Sequence, residues 1–208
     1  MKVFHLAVIR VTDERDAQGQ RLPSTIVCSA KDLSSFSFFQ RGSVEEFMDF
    51  MSTTVAERTA VGQRQAVSDK EHGEHVVYTY RAAGNLCGTV LTDKEYPDRV
   101  ALSLASRLLD EVQKEFSAEQ LRTTVTKLDS KVADEFIGKY QDPKQADSIM
   151  KVQQELEETK AVLHKTIEGI LERGTKLESL VDRSNQLSSS SKAFYKTAQK
   201  TNSCCVVM

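Results

Sequence analysis

Between Ile149 and Thr201, apolar or small side chains recur at alternating steps of three and four residues. The series is Ile149, Val152, Leu156, Thr159, Leu163, Thr166, Ile170, Arg173, Leu177, Leu180, Ser184, Leu187, Ser191, Phe194, Ala198 and Thr201. A repeat of about 3.5 residues is the mark of a helix that buries one narrow stripe in a left-handed supercoil with other helices. Lys151, Glu155, Glu157, Glu158, Lys160, Glu172 and Lys176 occupy the other faces and read as solvated. Arg173 alone breaks the apolar rule near the middle of the seam. A guanidinium there needs oxygen acceptors, and two of them facing each other in a parallel homodimer would repel. The seam therefore predicts a heteromeric bundle whose other helices bring acceptors to that layer, which would also fix the register.

Upstream the periodicity changes. Residues 3–11 are apolar almost throughout, as in a strand covered on both faces, and Thr25–Cys28 reads as a second strand. Ser43-Val44-Glu45-Glu46 has the form of a capping box opening a helix. Val44, Phe47, Met48, Met51 and Val55 form its inward stripe, with Phe50 at the edge. Arg64–Ser68, His75–Tyr80 and Leu86–Leu91 read as three further strands in a meander. A long amphipathic helix with Pro97 in its first turn comes next, and a shorter one carries Val132, Phe136, Ile137 and Tyr140 on one side. The order predicts an α+β domain over 1–140, with a mostly antiparallel five-stranded sheet sandwiched by helices. Asp142-Pro143 breaks the chain, giving a linker over 141–148, the heptad helix over 149–201 and a tail over 202–208.

Composition narrows the function. With 208 residues, a net charge of -2 and a pI near 6.1, there is no basic field for nucleic acid. The apolar run at the N-terminus is too short for a secretory signal and no stretch is long enough to span a bilayer, so the expectation is a cytosolic chain. Cys28 and Cys87 then read as buried thiols. Gly169–Lys176 superficially resembles a phosphate-binding loop, but Thr175 precedes Lys176 and the segment lies within the heptads, where Gly169 and Gly174 would instead weaken a helix. His72 and His75 could flank a metal site or a solvated turn; no further ligand cluster accompanies them, and no metal or cofactor is expected. His5 reads as a lone strand histidine and His164 as a lone helix histidine. No nucleophile, base and orienting acid stand out, so no enzyme is expected.

Phe36, Phe38 and Phe39 form a dense aromatic cluster that is either core or, with Phe47 and Phe50, an apolar groove for a helix, including the chain's own seam. Cys205-Val206-Val207-Met208 matches a prenylation box whose Met favours farnesyl, and the adjacent Cys204 is placed for palmitoylation. A single lipid chain anchors only marginally, so the pair would give the two signals stable attachment needs. Lys192, Lys196 and Lys200 read as an aid on an anionic surface or as a solvated face.

The heptads with Arg173 in Leu171-Glu172-Arg173-Gly174-Thr175-Lys176-Leu177 resemble the R-SNARE motif, and the N-terminal order is similar to a longin domain. Among R-SNAREs, the Cys204-Cys205 end resembles the prenylated longin branch, as do Phe36–Arg41, Glu95-Tyr96-Pro97 and Ser191–Ala198. The resemblance implies a longin-like sheet followed by a long SNARE helix, and a role in vesicle fusion. It implies that Arg173 takes a central ionic layer against three glutamine-bearing SNARE helices, that an ATPase with its adaptor disassembles the bundle, and that the longin domain binds the chain's own seam. It also implies a lipid-anchored protein shared between cytosol and Golgi, ER-derived vesicle, endosomal or vacuolar membranes. The rival reading is a lipidated coiled-coil tether or scaffold without fusion activity.

Overall fold

The computed structural model describes residues 1–14, 17, 22–68, 74–142, 162–171 and 174–203. β1 (Val3–Arg10) is buried almost end to end, because it lies inside the sheet between antiparallel β2 (Thr25–Lys31) and β5 (Leu86–Asp93). β4 (His75–Arg81) and β3 (Arg64–Ser68) continue the antiparallel order. These are the five expected strands. A sixth, β6 (Val162–Thr166), joins parallel to β3 and gives the order β2-β1-β5-β4-β3-β6.

Side chains alternate between two layers, as a pleated strand requires. On β4, Val77 joins Phe4 and Leu91 under α1 (Arg41–Glu57), whereas Tyr78 joins Val90 under α2 (Asp98–Glu115). α2 shares its face of the sheet with the short α3 (Ala118–Thr123) and with α4 (Lys131–Lys139). Gly88 lets α2 approach β5, since a Cβ there would come within 2.3 Å of the Ala105 carbonyl oxygen. Glu115 ties α2 to α4 by accepting from Ser130 Oγ at 2.5 Å and from the Lys131 amide at 2.8 Å.

Two local expectations need correction, and one element is new. α1 starts at Arg41, and its flanking residue Gln40 makes no side-chain cap, so Ser43 and Glu46 do not form the expected box. Pro97 lies just ahead of α2 in extended conformation, not in its first turn. α3 was not expected from the apolar pattern, although Ser117 and Gln120 form a complete capping box at its start.

The largest departure concerns the heptad segment. Among the described residues it is not one long helix but β6, α5 (Ile167–Ile170), α6 (Leu177–Arg183) and α7 (Ser189–Ser203). An apolar stripe has to be covered, and here the N-terminal domain covers it in place of partner helices. Where the segment is extended, β3 satisfies its backbone. Gly174, at φ 89°, supplies a turn that a side chain would strain. His164 consequently lies on a strand, not on a helix.

Candidate partner groove

One wall of the groove is α1 and its floor is the β3–β4–β5 face. Val44, Met48 and Val55 of α1 and Val67, Val77 and Leu91 of the sheet form one apolar cluster with Ile167, Leu171, Leu177, Val181 and Leu187. Entry is set by β6, whose pairing runs from Arg64 with Val162 to Ser68 with Thr166. Outside this ladder, His164 Nε2 lies 3.8 Å from Asp98, which also accepts from the Tyr78 hydroxyl at 2.5 Å. Burial and then Asp98 push the Tyr78 pKa upward.

The aromatic residues divide. Phe36 packs against Phe4 at 6.0 Å and borders the groove; Phe50 is buried below Phe47, their rings 6.2 Å apart. Phe47 stacks on Tyr195 of α7 at 5.2 Å. Phe38 and Phe39 are 79% and 94% exposed, which corrects the core reading for that pair. Beneath α7 a largely apolar cavity of about 250 Å³ remains, lined by Phe36, Met51, His75, Phe194, Tyr195 and Ala198 among others.

A polar latch closes the far end. Glu46 accepts from the Ser188 amide at 2.8 Å and from Ser191 Oγ at 2.7 Å, with Ser191 fully buried. The amide first, then the hydroxyl, hold the Glu46 carboxyl below its usual pKa. Nearby, Lys196 pairs with Asp182 at 2.8 Å and Lys192 donates to the Asp182 carbonyl. Those two lysines are therefore engaged within the folded-back segment.

Of the expected seam, Leu177 and Leu187 are buried in the groove. Ile170, Leu180 and Phe194 are half-buried against the same cluster, Ala198 lines the cavity, and Leu163 on β6 is exposed. Ile149, Val152, Leu156, Arg173, Cys204 and Cys205 lie outside the described residues. Ile167, Leu171, Val181 and Tyr195, which also bind the groove, fall between seam positions, so the heptad repeat carried no signal for them. Glu46 was visible only as a helix cap.

A second polar cluster lies deep in the domain. His5, fully buried on β1, has Nδ1 2.9 Å from Ser52 Oγ and Nε2 3.1 Å from Asp49 Oδ1. Lys31 also contacts Asp49, at 2.8 Å. Burial lowers the His5 pKa and keeps the ring neutral. Burial alone would raise the Asp49 pKa, but His5 and Lys31 outweigh it and hold the carboxyl low. The order Ser52–His5–Asp49 has the outline of a nucleophile–base–acid series. Ser52 is fully enclosed, however, so no substrate reaches it and the set is a buried core network. Cys28 and Cys87 are buried free thiols whose pKa values burial pushes up to about 11 and about 12. His75 borders the cavity edge-on to Phe4 at 5.1 Å, while His72 lies outside the described residues. Among the described residues no group of three or more potential ligands could hold a metal, and no helix is long and apolar enough to cross a membrane.

Two sequence families match the chain: one described as a regulated-SNARE-like (longin) domain over residues 33–140, and one described as synaptobrevin over 148–206. Among similar curated proteins is a "Synaptobrevin homolog YKT6" of Candida glabrata, 49% identical over the full length of both chains. Proteins of the same description from Schizosaccharomyces pombe and Saccharomyces cerevisiae are 47% and 46% identical, again over all of each chain.

Proposed function

The chain belongs to the longin-type R-SNAREs, non-enzymatic trafficking proteins that act in vesicle fusion with other SNARE helices, and on that premise we propose that it is a lipid-anchored R-SNARE autoinhibited by its own longin domain. The observation that carries this reading is the burial of Leu177, Leu187 and Ser191 in the groove. These are seam positions that a four-helix bundle must itself bury, and one stripe cannot pack against two surfaces. Closed and bundled states therefore exclude each other, and whatever favours one depletes the other.

In the bundled state Arg173 takes the central layer and meets glutamine oxygens from three partner helices. Zippering toward the C-terminus draws two membranes together, provided the tail is held in one of them. Cys205 carries the farnesyl group and Cys204 the palmitoyl group. In the closed state the cavity beside Ala198 offers a single lipid chain apolar cover from water, and Cys205 follows Ala198 by only seven positions. An ATPase with its adaptor returns the spent bundle to free chains. The membranes served are those of the Golgi, ER-derived vesicles, endosomes or vacuoles, with a cytosolic pool of the closed form. A tether or scaffold would gain nothing from an Arg at the centre of its seam. The test is reconstitution of the lipid-linked chain with glutamine-bearing SNAREs on opposing liposomes: content mixing is expected, and docking without mixing across compatible partner sets would establish the tether instead.

A further inference from the structure

Phe38 and Phe39 are not needed by the groove, the sheet or the latch, yet they are the most exposed aromatic side chains among the described residues, in edge-to-face contact with centroids 5.9 Å apart. Their turn is firmly built. The Phe36 amide donates to the Leu33 carbonyl, the Gln40 amide to the Ser37 carbonyl, Ser37 Oγ to Gln40 Oε1 and Arg41 Nε to the Phe36 carbonyl. Lys2 Nζ braces its start through Ser34 and Ser35 Oγ. Phe36 roots the turn by its ring in the groove. Two phenyl rings are thus held in water on a preordered tip, where a soluble domain would ordinarily place polar residues.

The surroundings indicate what covers them. From Leu33 to Gly42 the single formal charge is Arg41. α1 begins there without an acidic residue in its first turn, so its positive end faces the same side. Phe36 at the root of the turn lines the same cavity as Ala198 of α7, the helix whose last residue, Ser203, directly precedes Cys204. The root of the turn and the C-terminal half of α7 therefore border one cavity. A convex pair of aromatics beside a cation suits a fluid anionic interface better than a protein partner, which would have to supply a matching hollow.

We propose that the Phe38–Phe39 turn is a membrane-insertion finger, which seats the longin domain on an anionic bilayer next to the chain's own anchor. The proposal rests on the lipid-anchor reading, because the anchor brings the finger to the surface. Insertion fixes the orientation of the groove over the bilayer and adds a second contact to the marginal one that a single lipid chain makes.

The chain has no tryptophan, so Phe39→Trp is a clean reporter. Full-length chain carrying this substitution and Cys204→Ser is coupled through Cys205 to a maleimide lipid in vesicles, which bypasses cellular prenylation and separates this test from that of the anchor. On phosphatidylcholine vesicles containing phosphatidylserine, the indole emission is expected to shift blue and to be quenched by shallow bromolipids. Uncoupled Phe38→Ser/Phe39→Ser chain, with unchanged circular dichroism, should sediment with such vesicles roughly tenfold less than the uncoupled parent, the worth of half-burying two phenyl rings. Water-like, unquenched emission from the coupled chain would overturn the proposal. So would a blue shift that appears only when glutamine-bearing SNARE helices are added without vesicles, since that would assign the finger to a protein partner.

Discussion

Ile167→Ala tests whether the closed state rests on residues the bundle does not use. Ile167 is fully buried between α1 and the sheet, in the cluster with Val44, Val67, Val77 and Leu91. It lies one position beyond Thr166 and three before Ile170, hence off the seam. Truncating a buried Ile to Ala costs about 2–5 kcal/mol, combining lost transfer energy with a residual cavity. That cost falls on the closed state, because the open segment exposes residue 167 in either variant. At about 1.4 kcal/mol per decade, the open fraction should rise from roughly thirtyfold to a few thousandfold. The bundle should be indifferent, since Ala at an outward helical position is at least as favourable as Ile. Amide exchange over Val162–Thr166 reads the opening, and the rate of incorporation into a bundle with glutamine-bearing helices reads its consequence. Leu180→Ala, on the seam and half-buried here, should instead lower the melting temperature of the assembled bundle. Unchanged exchange in Ile167→Ala, or a bundle weakened as much as by Leu180→Ala, would refute the division into two faces.

Three further outcomes follow from the contacts. Glu46→Gln should loosen the Ser188–Ser191 latch by about 1 kcal/mol, a charge-assisted bond discounted for solvent screening at a partly exposed site. Because the closed state lowers the Glu46 pKa, this contribution is complete above the ordinary value of 4.5 and is lost as pH falls through the lowered one; exchange at Ser191 in parent and variant should converge in acid, and a constant difference would exclude the carboxylate. Phe50→Glu places a charge below Phe47 and should raise protease sensitivity around Leu177, with unchanged cleavage counting against the groove as the closing surface. Asp49→Asn leaves His5 without its carboxylate and Lys31 with Glu45 alone, and should cost the longin domain about 2–3 kcal/mol in urea unfolding. His5 has a lowered folded pKa, so its unfolded form takes up protons first and its own contribution to stability declines as pH drops below the ordinary 6.5; His5→Leu should flatten that limb of the profile, and an unaltered slope would place the titration elsewhere.

The sheet and the long helices were legible because each buries one face or stripe on a regular period, and no other chain is needed to explain it. β1 through β5, α1, α2 and α4 fall where the apolar pattern puts them. α3 was missed because six residues hold too little periodicity, although Ser117-x-x-Gln120 marks its start. His5 gave no hint of its partners, since Ser52 and Asp49 reach it only after α1 packs on β1. β6 was beyond reach for a different reason. Val162–Thr166 has helical heptad spacing, and only the unpaired edge of β3, a tertiary feature, turns it into a strand.

That last case shows how one sequence serves two packings. The seam runs through Leu177, Leu180, Leu187 and Phe194, and a helical bundle reads it with a period of about 3.5. The groove reads Ile167, Leu171 and Val181 as well, and Tyr195 stacks on Phe47, so part of the closed-state interface lies between seam positions. A segment with only seam residues would have its closing and bundling energies locked together, any change in one altering the other. Residues off the seam release that constraint, because substitutions at 167, 171 or 181 move the closed–open balance while the bundle keeps its core. Gly174 works in the same direction, easing the turn at φ 89° in the closed form at roughly 1 kcal/mol of helix propensity in the bundled one. The closed state thus sets how readily the seam is released, and the seam, with Arg173 at its centre, sets what it is released to.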